Sequence, residues 1–215
     1  MKGQRRILVA TTNPGKLAEI RQMLGGDVQW VGLADFPKIA EIEEDGATFA
    51  ENARKKAFGY AKATGLWTIA DDSGLVIDAL GGKPGVESAR FSKAKDKNRK
   101  VVDCKNIAKV LELLKCVPKE KRKARFVCCL CLASPPDEWR VNPEKVLIET
   151  EGILEGFIME EEIGKNGFGY DPIFFVPSLG KTVAQLTVDE KNAISHRGNA
   201  LRKLKPILVE LLKGV

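Results

Sequence analysis

The chain has 215 residues, 44% hydrophobic and 30% charged, the makeup of an ordinary globular protein with room for one domain or two joined lobes. Its 35 Lys and Arg against 29 Asp and Glu leave a net charge of +6; much of the excess sits in Lys93–Lys100 and Lys119–Lys123, runs that ordinarily coat solvated loops and helix faces and that lack the interleaved aromatics of a single-strand nucleic-acid surface. No apolar run approaches the ~20 residues of a membrane span, and the one in the N-terminal MKGQRRILVATTNPGK covers only about five residues, so the sequence reads as a cytoplasmic protein with no membrane partner and no nucleic acid expected.

In chain order, Ile7–Thr11 reads as a first strand and Thr12–Gly15 as a turn. Leu17, Ile20 and Leu24 then recur at helical spacing until Gly25-Gly26 stops them. Phe49, Ala53, Ala57 and Tyr60 mark a second helix closed near Gly65. Trp67–Ala70 reads as a strand, Asp71–Gly74 as a turn, Leu75–Leu80 as another strand and Gly81–Gly85 as a loop. Val101–Leu114 has helical periodicity. Phe126–Ala133 and Val146–Leu154 read as strands joined by a loop at Pro135-Pro136, a hairpin-like second lobe. Ile173–Val176 is a short buried strand, and Leu201, Leu204, Leu208 and Leu211 define a closing helix in which Pro206 predicts a kink or break. Strands alternating with helices predict an α/β fold.

The five cysteines are 104, 116, 128, 129 and 131. Cys128 and Cys131 have CxxC spacing, but neither a second pair nor a nearby histidine completes a zinc site. An odd number inside an apolar run predicts small buried side chains and no disulfide framework.

Four segments carry candidate chemistry. Thr11-Thr12-Asn13-Pro14-Gly15-Lys16 follows a strand and opens a helix, where backbone N–H groups, the helix dipole and a lysine favour an anion. It lacks the spacing of a Walker loop, and the bland alternative is an ordinary strand-to-helix turn. Glu41, Glu43, Glu44 and Asp45 precede the second helix, and Asp71-Asp72-Ser73-Gly74 follows a strand. Such hard oxygens suit Mg²⁺, which keeps waters and bridges to phosphate. Adjacent acids also repel unless a cation or donors compensate, which weakens the reading of Asp71-Asp72 as a mere capped turn. In Gly167-Phe168-Gly169-Tyr170-Asp171-Pro172, two glycines let backbone approach a flat ligand, and Phe168 could stack on a base. In KNAISHRG, Lys191, Ser195, His196 and Arg197 form a donor cluster suited to a carbonyl or phosphate oxygen. His196 is the chain's single histidine, so a multi-histidine metal site is excluded, and no G-x-S-x-G elbow supports a serine triad.

Together ATTNPGK, ENARKKA, ADDSGLVIDALGGKPGVESARFS, GFGYDPIFFVPSLGKT and ISHRGNAL, in that order from Ile7 to about Leu204, resemble the inosine triphosphate pyrophosphatase family. The resemblance implies a single domain of two lobes over 1–215: an elongated, twisted mixed sheet with a substrate cleft between the lobes (the ITPase-like, Maf/Ham fold). It also implies a homodimer, and Mg²⁺-dependent hydrolysis of ITP, dITP and XTP to the monophosphate and pyrophosphate, clearing aberrant purines from the nucleotide pool. Carried over residue by residue, it implies that Thr11, Asn13 and Lys16, within the Thr11–Lys16 turn, and Lys56 contact phosphate. It implies that Glu44, with Glu43 as the alternative, and Asp72 bind metal, that Asp72 is also the proton acceptor, and that Ser73 touches substrate. It implies that Phe168, Gly169, Tyr170, Asp171, Lys191, His196 and Arg197 recognise the base. The chain departs from the pattern at Glu162–Asn166, where Pro-Arg-Gly is common, and at Ser92-Lys93, where Ser-Gly is common; these bear on loop geometry.

Donors at Lys191, His196 and Arg197 suit a 6-keto purine and disfavour adenine. Guanine shares that keto group, so exclusion of GTP, which the resemblance also implies, needs another contact. Two rivals remain at this stage. One is a related pyrophosphatase acting on modified pyrimidine or methylated nucleotides, against which KNAISHRG argues by resemblance. The other is a basic nucleic-acid-binding module using the Lys93–Lys123 region, which salt-dependent binding without turnover would reveal.

Overall fold

A computed structural model of the chain describes residues 5–26, 28–136 and 145–213. Residues 1–4 of the basic N-terminal stretch, and residues 137–144 of the loop read after Pro135-Pro136, lie outside them.

Seven strands hydrogen-bond in the order β2-β1-β3-β4-β5-β6-β7. β1 (Arg5–Ala10) runs parallel to β2 (Val28–Gly32) and to β3 (Trp67–Ile77), in the registers Ile7↔Trp30 and Ile7↔Trp67. β6 (Phe174–Val176) runs antiparallel to β5 (Val146–Ile158) and to the short β7 (Lys181–Thr182). β4 (Lys123–Ala133) lies between β3 and β5. The protein is α/β, as the alternating pattern predicts, and its sheet is mixed, as the family resemblance implies.

The chain forms two compact units. The first is Met1–Asp72, Cys128–Gly152 and Arg197–Val215; the second is Ser73–Val127 and Ile153–His196. Each has its own apolar core. In the first, Ile7, Val9 and Ile69 pack with Cys128, Leu130 and Leu132 of β4 and with Leu201, Leu204 and Leu208. In the second, Leu75 and Ile77 pack with Phe126, Ile158, Ile173 and Phe174, and with Ile107 and Val110. The boundary passes through β3, β4 and β5. The expected hairpin-like second lobe is therefore corrected: β4 and β5 contribute to both units, because each strand places apolar residues in both cores.

Four helices follow the periodicity closely. α1 (Pro14–Leu24) starts with its proline at the first position, where no N–H is needed, so the expected turn is shorter than Thr12–Gly15. α2 (Phe49–Thr64) carries a Thr48/Glu51 capping box and ends at Gly65, φ 68°. α3 spans Arg99–Leu113. A shorter helix, α4 (Val188–Ile194), opens on a second capping box, Thr187/Glu190. α5 (His196–Lys213) runs through Pro206 without the expected break. Pro206 is exposed, so water can satisfy the carbonyl it leaves without a donor, while Leu201, Leu204 and Leu208 hold the opposite face in the core.

The predicted turn at Asp71–Gly74 is also corrected: β3 is continuous from Trp67 to Ile77. Side chains alternate along a strand, and Asp71 and Asp72 each find their own cations, so two adjacent acids need no exposed turn. Asp78–Leu80, expected as strand, is a 3₁₀ turn closed by Gly81 at φ 61°. All three strand cysteines are buried, with no disulfide among the described residues.

Candidate active site

The first unit holds the phosphate and metal candidates. Asn13 caps α1: its Oδ1 accepts from Gly15 N at 2.9 Å and Lys16 N at 3.3 Å, while Thr11 Oγ1 accepts from Asn13 N at 3.1 Å. The first helical N–H groups expected for an anion are thus partly committed to this cap. Thr12 and Pro14 are exposed at this end. Lys16 projects from the first turn of α1 and ion-pairs with Asp71.

Asp71 is 2% exposed. Its Oδ2 accepts from Arg197 Nε at 3.0 Å and from the Cys128 thiol at 3.0 Å. Burial pushes its carboxyl up, but Arg197 and Lys16 outweigh burial and hold it well below the usual carboxylate range. Arg197, 1% exposed, also donates through Nη1 to Glu19 at 2.5 Å. The guanidinium expected at the base thus pairs with two carboxylates of the first unit. The Cys128 thiol is pushed up by burial and by Asp71, so it stays protonated and donates.

Glu44 and Asp72 converge on one ammonium. Lys56 Nζ lies 3.0 Å from Glu44 Oε1 and 3.1 Å from Asp72 Oδ1, and donates to the Asp71 carbonyl at 2.7 Å. Burial lowers the Lys56 pKa, but Asp72, Glu44 and Asp71 outweigh it and raise it above the usual value. Asp72 is raised as well, although an ion pair alone would lower an acid. Burial is the largest cause, and the Glu44 charge adds to it against the pull of Lys56. Two hard oxygens around one cation, with a surplus of negative charge, fit a divalent ion that takes its other ligands from water and phosphate. Among the described residues no group of three or more His, Cys, Asp or Glu could hold a metal. Of the two glutamates, Glu44 is half-buried on Lys56, whereas Glu43 is exposed.

The second unit holds the base candidates. Asp171, 3% exposed, accepts through Oδ2 from Phe168 N at 2.9 Å and Lys191 Nζ at 2.8 Å. The same ammonium lies over the Phe168 ring, 4.3 Å from its centroid, a cation–π contact that covers one ring face. Gly167 has φ 76°, and a Cβ there would collide with the Asp171 carboxylate. Gly169, φ 61°, donates its N–H to Asp103 on α3 at 3.0 Å. Tyr170 donates its hydroxyl to the Ser88 carbonyl at 2.8 Å, and burial pushes its pKa up. His196 stacks on Phe126, ring centroids 4.9 Å apart. Ser73, half-buried, opens this unit in mid-strand.

These two constellations occur in a chain whose residues 7–207 match the Ham1 family model. The chain belongs to the Ham1 family. It is 47% identical to a dITP/XTP pyrophosphatase of Bacillus cereus over the whole of both chains. It is 49% identical to the Bacillus subtilis dITP/XTP pyrophosphatase, covering 94% of this chain and 96% of that one. The HAM1 protein structure from Coxiella burnetii superposes with a TM-score of 0.81 at 43% identity, covering 96% of this chain and 99% of the other. The ITPase-like α/β fold expected from the motifs is thus the fold of solved Ham1 proteins.

Several polar residues of this Ham1 chain escaped the sequence reading. Asn52 is fully buried and donates to Asp72 Oδ2 at 3.3 Å. Its signal was its place four residues before Lys56, on the same helix face. Glu19 sits in an amphipathic helix where an acid ordinarily faces water, so nothing local marked it as a partner of Arg197. Asp103 lies 66 residues from Gly169, a separation that no local pattern bridges.

Proposed function

We propose that this protein is a Mg²⁺-dependent nucleoside triphosphate pyrophosphatase that hydrolyses ITP, dITP and XTP to the monophosphate and pyrophosphate and so clears aberrant purines. The observation that carries the chemistry is the convergence of Glu44 and Asp72 on Lys56. The names of the relatives support the substrate class. Glu44 and Asp72 would hold the magnesium ion, which would supply charge neutralisation on phosphate oxygens. Lys16 and Lys56 bind the phosphate chain, with the Asn13-capped start of α1 adding its dipole. Asp72 accepts a hydrogen bond from water and aims its oxygen at the α-phosphorus. As that oxygen bonds to phosphorus, the bond to the bridging oxygen of the β-phosphate breaks and pyrophosphate leaves. The water's proton passes to Asp72 or onward to solvent.

In the second unit, Phe168 offers its ring to a base, and Lys191 and His196 are the donors for a 6-keto oxygen. Arg197, committed to Asp71 and Glu19, is assigned to holding the phosphate-end acid. Homodimerisation and a cytoplasmic location, with the nucleotide pool, belong to the same proposal. Among the described residues no helix is long and apolar enough to cross a membrane.

Hydrolysis of ITP in ¹⁸O-labelled water tests the reaction. Attack at the α-phosphorus places the label in IMP. Label in pyrophosphate, or release of orthophosphate instead, would contradict the assignment.

A further inference from the structure

Asn52 is fully buried on α2. Its amide makes three links. Oδ1 accepts from Gly46 N at 2.8 Å, and Nδ2 donates to Gly46 O at 3.4 Å and to Asp72 Oδ2 at 3.3 Å. Gly46 stands two residues after Glu44. One side chain therefore ties the backbone that carries Glu44 to the carboxylate of Asp72.

The surroundings are built for this tie. Glu51 Oε2 accepts from Ala47 N at 2.7 Å and Thr48 N at 3.2 Å, which folds the acidic loop onto the first turn of α2. A Cβ on Gly46 would lie 2.7 Å from Asn52 Oδ1 and 2.9 Å from Glu51 Cβ, so the approach requires glycine. Asn52 and Lys56, four residues apart on one helix face, take the two oxygens of Asp72: Lys56 holds Oδ1 and Asn52 holds Oδ2. The rotation of that carboxylate is thereby set.

We propose that Asn52 is a positioning residue that fixes Glu44 and Asp72 at the spacing a divalent cation requires. Hydrogen-bond partners of ligating carboxylates act in this way generally. The inference rests on the reading of Glu44 and Asp72 as the magnesium pair.

The test uses Asn52→Leu, which keeps the branched shape and removes all three links, and Asn52→Asp, which keeps an acceptor for Gly46 N–H and removes the donor to Asp72. Asn52→Leu should lower kcat on ITP roughly 10- to 100-fold, with KM within about threefold of wild type. Without nucleotide, magnesium alone should raise the Tm of the wild type, and raise that of Asn52→Leu by less at equal concentration. Combined with Asp72→Asn, the Asn52 change should cost less kcat than it does alone, because part of its effect passes through Asp72. If Asn52→Leu fails to fold, the kcat of Asn52→Asp and its cycle with Asp72→Asn are read instead. Wild-type kcat in a folded variant, an undiminished magnesium shift, or additive losses in the cycle would overturn the inference. Near-normal turnover in Asp72→Asn alone would overturn the metal-pair reading and this inference with it. Normal Asn52 variants beside a crippled Asp72→Asn would overturn this inference alone.

Discussion

The carboxylate of Asp71 compensates two cations, the buried Arg197 and the half-buried Lys16, whereas that of Asp72 shares one lysine with Glu44. Their folded-state pKa values move in opposite directions, and so do the stability effects. Asp71 is held below its unfolded value of 3.8; its contribution is present above that value and is lost as pH falls through the folded pKa. Asp72 is raised above 3.8; its contribution is present below that value and is lost as pH rises through the folded pKa. In EDTA at pH 7, Asp71→Asn should therefore destabilise by about 3–5 kcal/mol, as breaking a buried pair does. Asp72→Asn should be neutral or stabilising at pH 7, with any gain vanishing near pH 3. Urea unfolding at both pH values measures this; equal losses from the two substitutions would refute it. The same Asp72→Asn protein should lose roughly a hundredfold in kcat, since the water loses its acceptor and the metal a charge.

Among the elements, α1, α2, α3 and α5 were legible because their apolar residues recur every three to four positions over several turns. β3 was not. Two acids, a serine and a glycine in a row have turn composition, and the cations that compensate the two acids within the strand, Lys16, Arg197 and Lys56, are all distant in sequence. β2 is five residues long and α4 seven, too short for periodicity to speak, although the Thr187-x-x-Glu190 box marked the start of α4. For the site, the motif resemblance pointed to Lys16, Lys56 and Asp72. It did not point to Asn52 or Asp103, whose partners lie in other segments of the chain. The loop of Gly167–Pro172 belongs to this scale. Gly167→Ala forces a Cβ onto Asp171 at a φ of 76°, and should cost about 1–3 kcal/mol of stability. It should also raise KM for ITP, because Phe168 and Lys191 both hang on Asp171. Wild-type KM and Tm in this variant would show that the loop geometry matters to neither.

For the whole molecule, the first unit is assigned the phosphates and the metal, and the second the base. Lys16→Ala should therefore weaken binding of every nucleoside triphosphate alike, by about 1–3 kcal/mol, and EDTA should abolish turnover of all of them. Lys191→Ala should act selectively, lowering turnover of ITP and XTP more than that of ATP. Steady-state kinetics across bases separates the two; a base-selective Lys16→Ala would break the division. The central claim is that this fold hydrolyses 6-keto aberrant purine triphosphates at the α–β bond. Its most direct measurement is kcat/KM for ITP, XTP and ATP at equal Mg²⁺, with pyrophosphate as the detected product. The account predicts pyrophosphate from ITP and XTP, with ATP slower by up to about 10⁴-fold. ATP matching ITP, or no pyrophosphate from either ITP or XTP, would contradict it.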